Sequence, residues 1–135
     1  TEIYTLSLHD ALPILMKMLN SKKKALNGAK VLIVGVAYKK DIDDLRESPA
    51  LKVIEHLLKN GADVSYNDPF IPEFEHEGHS FTSQELTEKN LKKYDIAILI
   101  TDHSCYDLSF VAAHVDMLFD TRNATKGIIN NVEKL

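Results

Sequence analysis

Apolar residues fall into two kinds of run along the chain, and their alternation sets the expected fold. Val31-Leu32-Ile33-Val34 and Ile96-Ala97-Ile98-Leu99-Ile100 are continuous and rich in β-branched side chains. Unbroken runs of this length read as strands buried on both faces, as in a parallel sheet. Residues 62–66 predict a second short strand, ended by Asn67-Asp68-Pro69, and Met117-Leu118-Phe119 a fourth that ends at Asp120. After the first strand, Ala50, Val53, Ile54, Leu57 and Leu58 recur at helical spacing. Ser48-Pro49 opens that helix with an N-cap hydroxyl and a proline at the first helical position, and Asn60-Gly61 closes it. Residues 84–93 and 108–114 predict further helices, and residues 15–26 the tail of another, ended by Asn27-Gly28. Residues 70–83, turn-rich with Pro72 and Gly78, predict an irregular loop. Buried strands alternating with helices predict an α/β parallel sheet covered on both faces.

Residues 1–14, TEIYTLSLHDALPI, do not lead into this pattern. Pro13 predicts a break in any helix that crosses it. No Lys or Arg precedes Lys17, so the basic start of a secretory signal is missing. The string resembles the in-frame translation of a common short-read sequencing adapter. Residues 1–14 are therefore expected to be foreign or disordered, residues 15–27 to be the end of a linker helix, and residues 28–135 to form one domain.

Composition narrows the function classes. Of 135 residues, 44% are hydrophobic, enough for a core without disulfides or metal. The net charge of −4 argues against a nucleic-acid binder, which needs a basic face. No apolar run nears the roughly 20 residues that cross a bilayer. The single cysteine, Cys105, excludes an internal disulfide and fits a reducing cytoplasm.

Ligands in such sheets bind across the carboxyl ends of the strands. Four segments meet that edge: residues 35–47, 67–70, 101–106 and 120–123. The first strand is not followed by G-x-G-x-x-G, since only Gly35 stands in Gly35-Val36-Ala37-Tyr38-Lys39. The domain thus reads as Rossmann-like without the cradle that would hold NAD as a first Rossmann domain does. Lys39, Lys40 and Arg46, beside a helix N-terminus at Ser48, suit a diphosphate instead. Arg46 has an alternative in an ion pair with Asp43, Asp44 or Glu47, and Arg122 in a structural pair with Asp120. Asp43 and Asp44 read as loop-ordering groups. His76 and His79 have a spacing that can hold a metal, but no further Cys or His lies nearby, and a surface loop is the better reading. Asp68 and Asp102 at strand ends also resemble a receiver domain, but Gly35 and Thr101 occupy positions where that fold needs acidic residues.

Residues 35–49, from Gly35-Val36-Ala37-Tyr38-Lys39-Lys40 through Arg46-Glu47-Ser48-Pro49, resemble the signature opening the C-terminal domain of UDP-glucose and GDP-mannose dehydrogenases. Tyr66-Asn67-Asp68-Pro69 resembles the Y-D-P of that family, and Asp120-Thr121-Arg122 its D-x-R segment. The resemblance implies an NAD-dependent enzyme, homodimeric when whole, that oxidises the C6 alcohol of a UDP-sugar to a carboxylate through a cysteine thioester. It also implies that the NAD domain and the nucleophilic cysteine precede this domain, so Cys105 is a bystander and this chain alone is inactive. Tyr38 and Lys39 would line the nucleotide-sugar site, with Lys39 near UDP. Arg122 would reach the substrate, with a neighbouring subunit's site as one option, and Arg46 would project toward the NAD. Asp102-His103 is not expected to be a catalytic pair, because adjacent residues on one loop rarely point together. Thr101-Asp102-His103 and residues 120–125 resemble members using UDP-N-acetylhexosamines more than UDP-glucose. A reading from a different class is a free-standing nucleotide-binding or regulatory module without catalysis.

Overall fold

The computed structural model describes residues 8–127 and 131–135. The chain runs α1 (Leu8–Ser21), β1 (Lys30–Val34), α2 (Pro49–Lys59), β2 (Asp63–Asn67), β3 (Glu73–His76), β4 (His79–Thr82), α3 (Glu88–Leu91), β5 (Ile96–Leu99), α4 (Leu108–His114), β6 (Leu118–Asp120) and β7 (Val132–Lys134). Five strands form one parallel sheet in the order β2-β1-β5-β6-β7, and β3 with β4 makes a separate hairpin. The Rossmann-like α/β reading is therefore the observed fold.

Strand β1 shows why the sheet is filled on both sides. Successive side chains point to opposite faces. Val31 and Ile33 pack with Leu15 and Leu19 of α1 and Val53, Ile54 and Leu57 of α2. Leu32 and Val34 pack with Leu91 of α3 and Val111, Ala112 and Val115 at α4. Each such aliphatic side chain contributes about 1.5–3 kcal/mol when fully buried, so the apolar run is used on both faces. Helix α2 begins as its sequence predicts, with Ser48 Oγ accepting from the Ala50 amide at 3.2 Å and Pro49 at the first helical position. It ends with Gly61 in the left-handed region at φ +83, the Gly61 and Ala62 amides donating to Leu58 O at 3.1 Å and Leu57 O at 3.0 Å.

Four expectations need correction. Helix α1 passes through Pro13 without a break. Pro13 is exposed and removes one amide, while Ala11, Leu15, Met18 and Leu19 are buried on the sheet and offset that loss. Of the segment read as foreign, residues 1–7 lie outside the described residues and 8–14 are helical. The helix also ends before Asn27-Gly28. Lys23 takes the left-handed position at φ 59, and the Lys23 and Lys24 amides donate to Asn20 O at 2.9 Å and Leu19 O at 3.0 Å. Gly28 instead turns the chain into β1 and donates to Gly61 O at 2.9 Å.

Residues 70–83 are not an irregular loop, because β3 and β4 pair within them. Glu77 and Gly78 both have positive φ, 52 and 81, as a two-residue hairpin turn requires. Phe74 stacks on Phe81 at 5.0 Å and meets Tyr66 at 4.9 Å, which seats the hairpin beside β2. Within residues 84–93 only Glu88–Leu91 is helical, capped by Thr87. Strand β7 was not expected, since three residues, Val132-Glu133-Lys134, carry no apolar run. Among the described residues, no helix is long and apolar enough to cross a membrane.

Candidate functional site

From β1 the chain moves to β2 on one side of the sheet and then returns to β5 on the other. Strand order thus reverses between β1 and β5, and the crevice outside their carboxyl ends is where α/β sheets bind ligands. Gly35 leaves β1 at φ +85, and a Cβ there would lie 2.2 Å from the carbonyl oxygen of Thr101. No residue but glycine lets the two loops come this close. The Thr101 hydroxyl then donates to Ala37 O at 2.6 Å.

Where a dinucleotide-binding fold offers its loop amides to a pyrophosphate, this chain uses a carboxylate of its own. The amides of Val36 and Ala37 both donate to Asp68 Oδ2 at 2.9 Å. Asp68 is fully buried, and its Oδ1 accepts from the Phe70 amide at 2.8 Å. His103, also buried, brings Nε2 to 2.9 Å from Asp68 Oδ2, while its Nδ1 lies 2.7 Å from the Asp41 amide nitrogen. Because an amide can only donate, Nδ1 accepts and the ring hydrogen sits on Nε2, donating to Asp68. Asp41 is left-handed at φ 62, and its carboxylate accepts from the Ser104 amide at 2.8 Å and hydroxyl at 2.5 Å. These bonds from Ser104 hold the Asp41 carboxyl below its ordinary value.

The cationic side chains stand on this frame. Tyr38 is anchored by its amide, which donates to Asp44 O at 2.7 Å, while its ring stays exposed. Lys39 Nζ lies 5.8 Å from the centre of that ring, within cation–π range. Asp102 stands between Lys40 Nζ at 3.8 Å and Arg122 Nε at 3.8 Å. Arg46 grips Asp44 with two bonds, at 3.0 and 3.1 Å, with its side chain 88% exposed. Its ion-pair alternative is therefore realised, and with Asp44. The Arg122 pair with Asp120 is not: the buried Asp120 carboxylate accepts from the amides of Arg122, Ala124 and Thr125 at 2.8, 2.8 and 2.9 Å and from the Thr125 hydroxyl at 2.6 Å. Ser48 is buried, with its hydroxyl committed to the α2 cap.

The fold brings Tyr38 and Lys39 onto one loop, ties Arg122 to Lys40 through Asp102, and holds Arg46 on Asp44. Sequence reasoning passed over Asp68 and His103 as parts of the site. One signal was available: a strand-end loop without its glycine fingerprint needs another partner for its amides, and Asp68 closes the adjacent strand. Cys105 is exposed. His76 is used structurally, with Nε2 2.7 Å from Glu55 Oε2, tying the hairpin to α2 and lowering the Glu55 carboxyl. Glu77 brings a carboxylate oxygen into the same group.

Residues 32–127 match the family model described as the UDP-glucose/GDP-mannose dehydrogenase family, UDP binding domain. The chain belongs to this family. A UDP-N-acetyl-D-mannosamine dehydrogenase of Methanococcus vannielii is 33% identical over 128 residues, covering 86% of this chain and 28% of that protein. Its counterpart in Methanococcus aeolicus is 37% identical over 83 residues, 62% of this chain and 18% of the relative. The chain thus spans less than a third of either relative's length. A solved UDP-D-ManNAc dehydrogenase from Pyrococcus horikoshii superposes with a TM-score of 0.72 at 23% identity, over 92% of this chain and 29% of that one. At that identity the likeness carries the fold alone, and it places this family domain in a Rossmann-like frame.

Proposed function

We propose that this domain holds the UDP moiety of a nucleotide sugar, as the C-terminal part of an NAD-dependent UDP-sugar 6-dehydrogenase. The observation that carries the reading is the UDP-binding family match over residues 32–127, which includes the loop bearing Tyr38 and Lys39. In this reading Lys39 supplies positive charge to the diphosphate and Tyr38 an exposed ring beside it. Arg122 reaches the same ligand from the β6 loop, with Asp102 setting its direction. The substrate favoured is a UDP-N-acetylhexosamine, consistent with the names of the relatives above.

The residues after β1 do not fit a dinucleotide pyrophosphate, because Asp68 takes the Val36 and Ala37 amides. NAD, which accepts the hydride when bound, is therefore assigned to a part of the protein outside this chain, with the exposed Arg46 facing it. By itself the chain is proposed to be inactive, because neither the thiol at Cys105 nor the β1 loop supplies the oxidation chemistry.

Titration of the 135-residue chain with UDP, followed by NMR chemical shift, tests the reading. A dissociation constant near millimolar, about −4 kcal/mol, is expected for a partial site. Shifts should centre on residues 35–39 and 120–123. Lys39→Ala should weaken binding more than Lys40→Ala, whose ammonium already faces Asp102. Both variants change net charge alike, so equal losses would mean long-range attraction only and would sink the assignment of Lys39.

A further inference from the structure

The two lysines at the site sit on a short arc of backbone pinned at both ends. On one side the Tyr38 amide is tied to Asp44 O at 2.7 Å, and on the other the Asp41 amide is tied to His103 at 2.7 Å. Asp41 adopts φ 62, a conformation that costs a non-glycine residue about 1 kcal/mol or more. It persists only where the surroundings hold it. His103 is buried to 2% exposure, so its ring has no water to exchange for these partners. Phe70 covers the ring at 4.7 Å between centres, and Tyr106 packs beside it at 5.5 Å.

We propose that His103 is a positioning residue for nucleotide binding: its Nδ1 straps the Lys39–Lys40 arc through the Asp41 amide, while its Nε2 braces the Asp68 carboxylate that holds the Val36 and Ala37 amides. One imidazole thereby couples both ends of the loop leaving β1 to the loop leaving β5. The inference rests on the nucleotide reading above for its ligand, but not for its geometry. It also separates two jobs within one side chain. The Nε2 bond supports the fold through a fully buried carboxylate, and the Nδ1 bond sets where the lysines stand.

Amide side chains can keep one job and drop the other. In His103→Asn the Oδ1 atom stands near the place of Nδ1 and can still accept from Asp41, with no donor long enough to reach Asp68. In His103→Gln the Nε2 amide can still donate to Asp68, and the acceptor facing Asp41 is lost. Three quantities are read for each variant and for the unchanged chain: the urea midpoint, hydrogen exchange at the Asp41 amide, and the UDP dissociation constant by NMR. For His103→Gln, Asp41 exchange should rise and UDP affinity fall by roughly three- to tenfold, the range of one net hydrogen bond, with the smaller loss of midpoint. His103→Asn should lose more in midpoint while Asp41 exchange and UDP affinity stay within about twofold. If affinity simply follows the midpoint across both variants, or if Asp41 exchange is the same in both, His103 is core filling and the proposal is overturned. Should the exchange split hold while the unchanged chain fails to bind UDP, the strap stands and the nucleotide reading fails.

Discussion

Glycine 35 offers a sharp test of how the site is built, because its replacement by alanine combines two separable penalties. The first is conformational: at φ +85 an L side chain is strained, at about 1–2 kcal/mol. The second is steric, since the new Cβ would lie 2.2 Å from Thr101 O and 2.7 Å from Thr101 Cβ. Backbone must move to relieve that overlap, which adds about 1–3 kcal/mol as overpacking. Gly28 supplies the control, with φ +89 and nothing within 4 Å of a built Cβ. Gly61 is intermediate, at φ +83 with its nearest neighbour the Asn27 side-chain oxygen at 2.3 Å, which can swing away more readily than backbone can. Gly28→Ala should therefore cost about 1–2 kcal/mol and Gly35→Ala about 2–5 kcal/mol, with Gly61→Ala between them. A domain with about 5–15 kcal/mol of stability survives each change, so all three can be measured. In urea, at a slope of about 2 kcal/mol per molar, Gly35→Ala moves the midpoint down by about 1–2.5 M. Equal losses at Gly28 and Gly35 would refute the close approach of the β1 and β5 loops, leaving backbone strain as the whole effect.

Other outcomes follow from the same structure. Pro13→Ala restores an amide inside α1 and should raise the urea midpoint by up to about 3 kcal/mol equivalent; a lower midpoint would mean that the helix does not run through position 13. The Asp41 carboxyl is depressed from 3.8 by its bonds from Ser104, so its contribution to stability is complete above the unfolded value and is lost as pH falls through the lower folded one. Ser104→Ala should move the Asp41 titration, followed by carboxyl carbon NMR, back up toward 3.8. An unchanged midpoint would remove Ser104 as the cause.

Legibility in the sequence followed the range of the interactions involved. Helix α2 could be bounded to the residue because its start and end are local, Ser48-Pro49 at one terminus and Asn60-Gly61 at the other. Strands β1 and β5 stood out because burial on both faces leaves an unbroken apolar run. By contrast β7 exists only through its register with β6, with Phe119 opposite Glu133, and its own three residues carry no signal. The hairpin was hidden by charges that alternate with Phe74 and Phe81, since turn-rich composition masked a period of two. Pro13 was misjudged because propensity was weighed without the sheet surface that α1 covers. At the site, Tyr38, Lys39 and Arg122 were visible as cations and an aromatic at strand ends. The frame under them was not, because His103 meets Asp41 across 62 residues and Asp68 across 35. No local pattern encodes such a meeting.

The hairpin beside β2 also bears on how this sheet avoids its own kind. An edge strand presents unpaired amides and carbonyls that can template another chain. Here the carboxyl half of β2 is already engaged: Tyr66 bridges to Ser83, the Gln84 amide donates to Tyr66 O at 2.8 Å, and the Asp68 amide donates to Ser83 Oγ at 2.9 Å. The opposite edge is the three-residue β7, which carries Glu133 and Lys134. Short length and charge blunt that side as well. Growth of the sheet by backbone pairing is thus disfavoured at both ends, and the domain is guarded against aggregation through its edges. Recognition of a second chain is left to side chains on the helical layers or at the loop end of the strands.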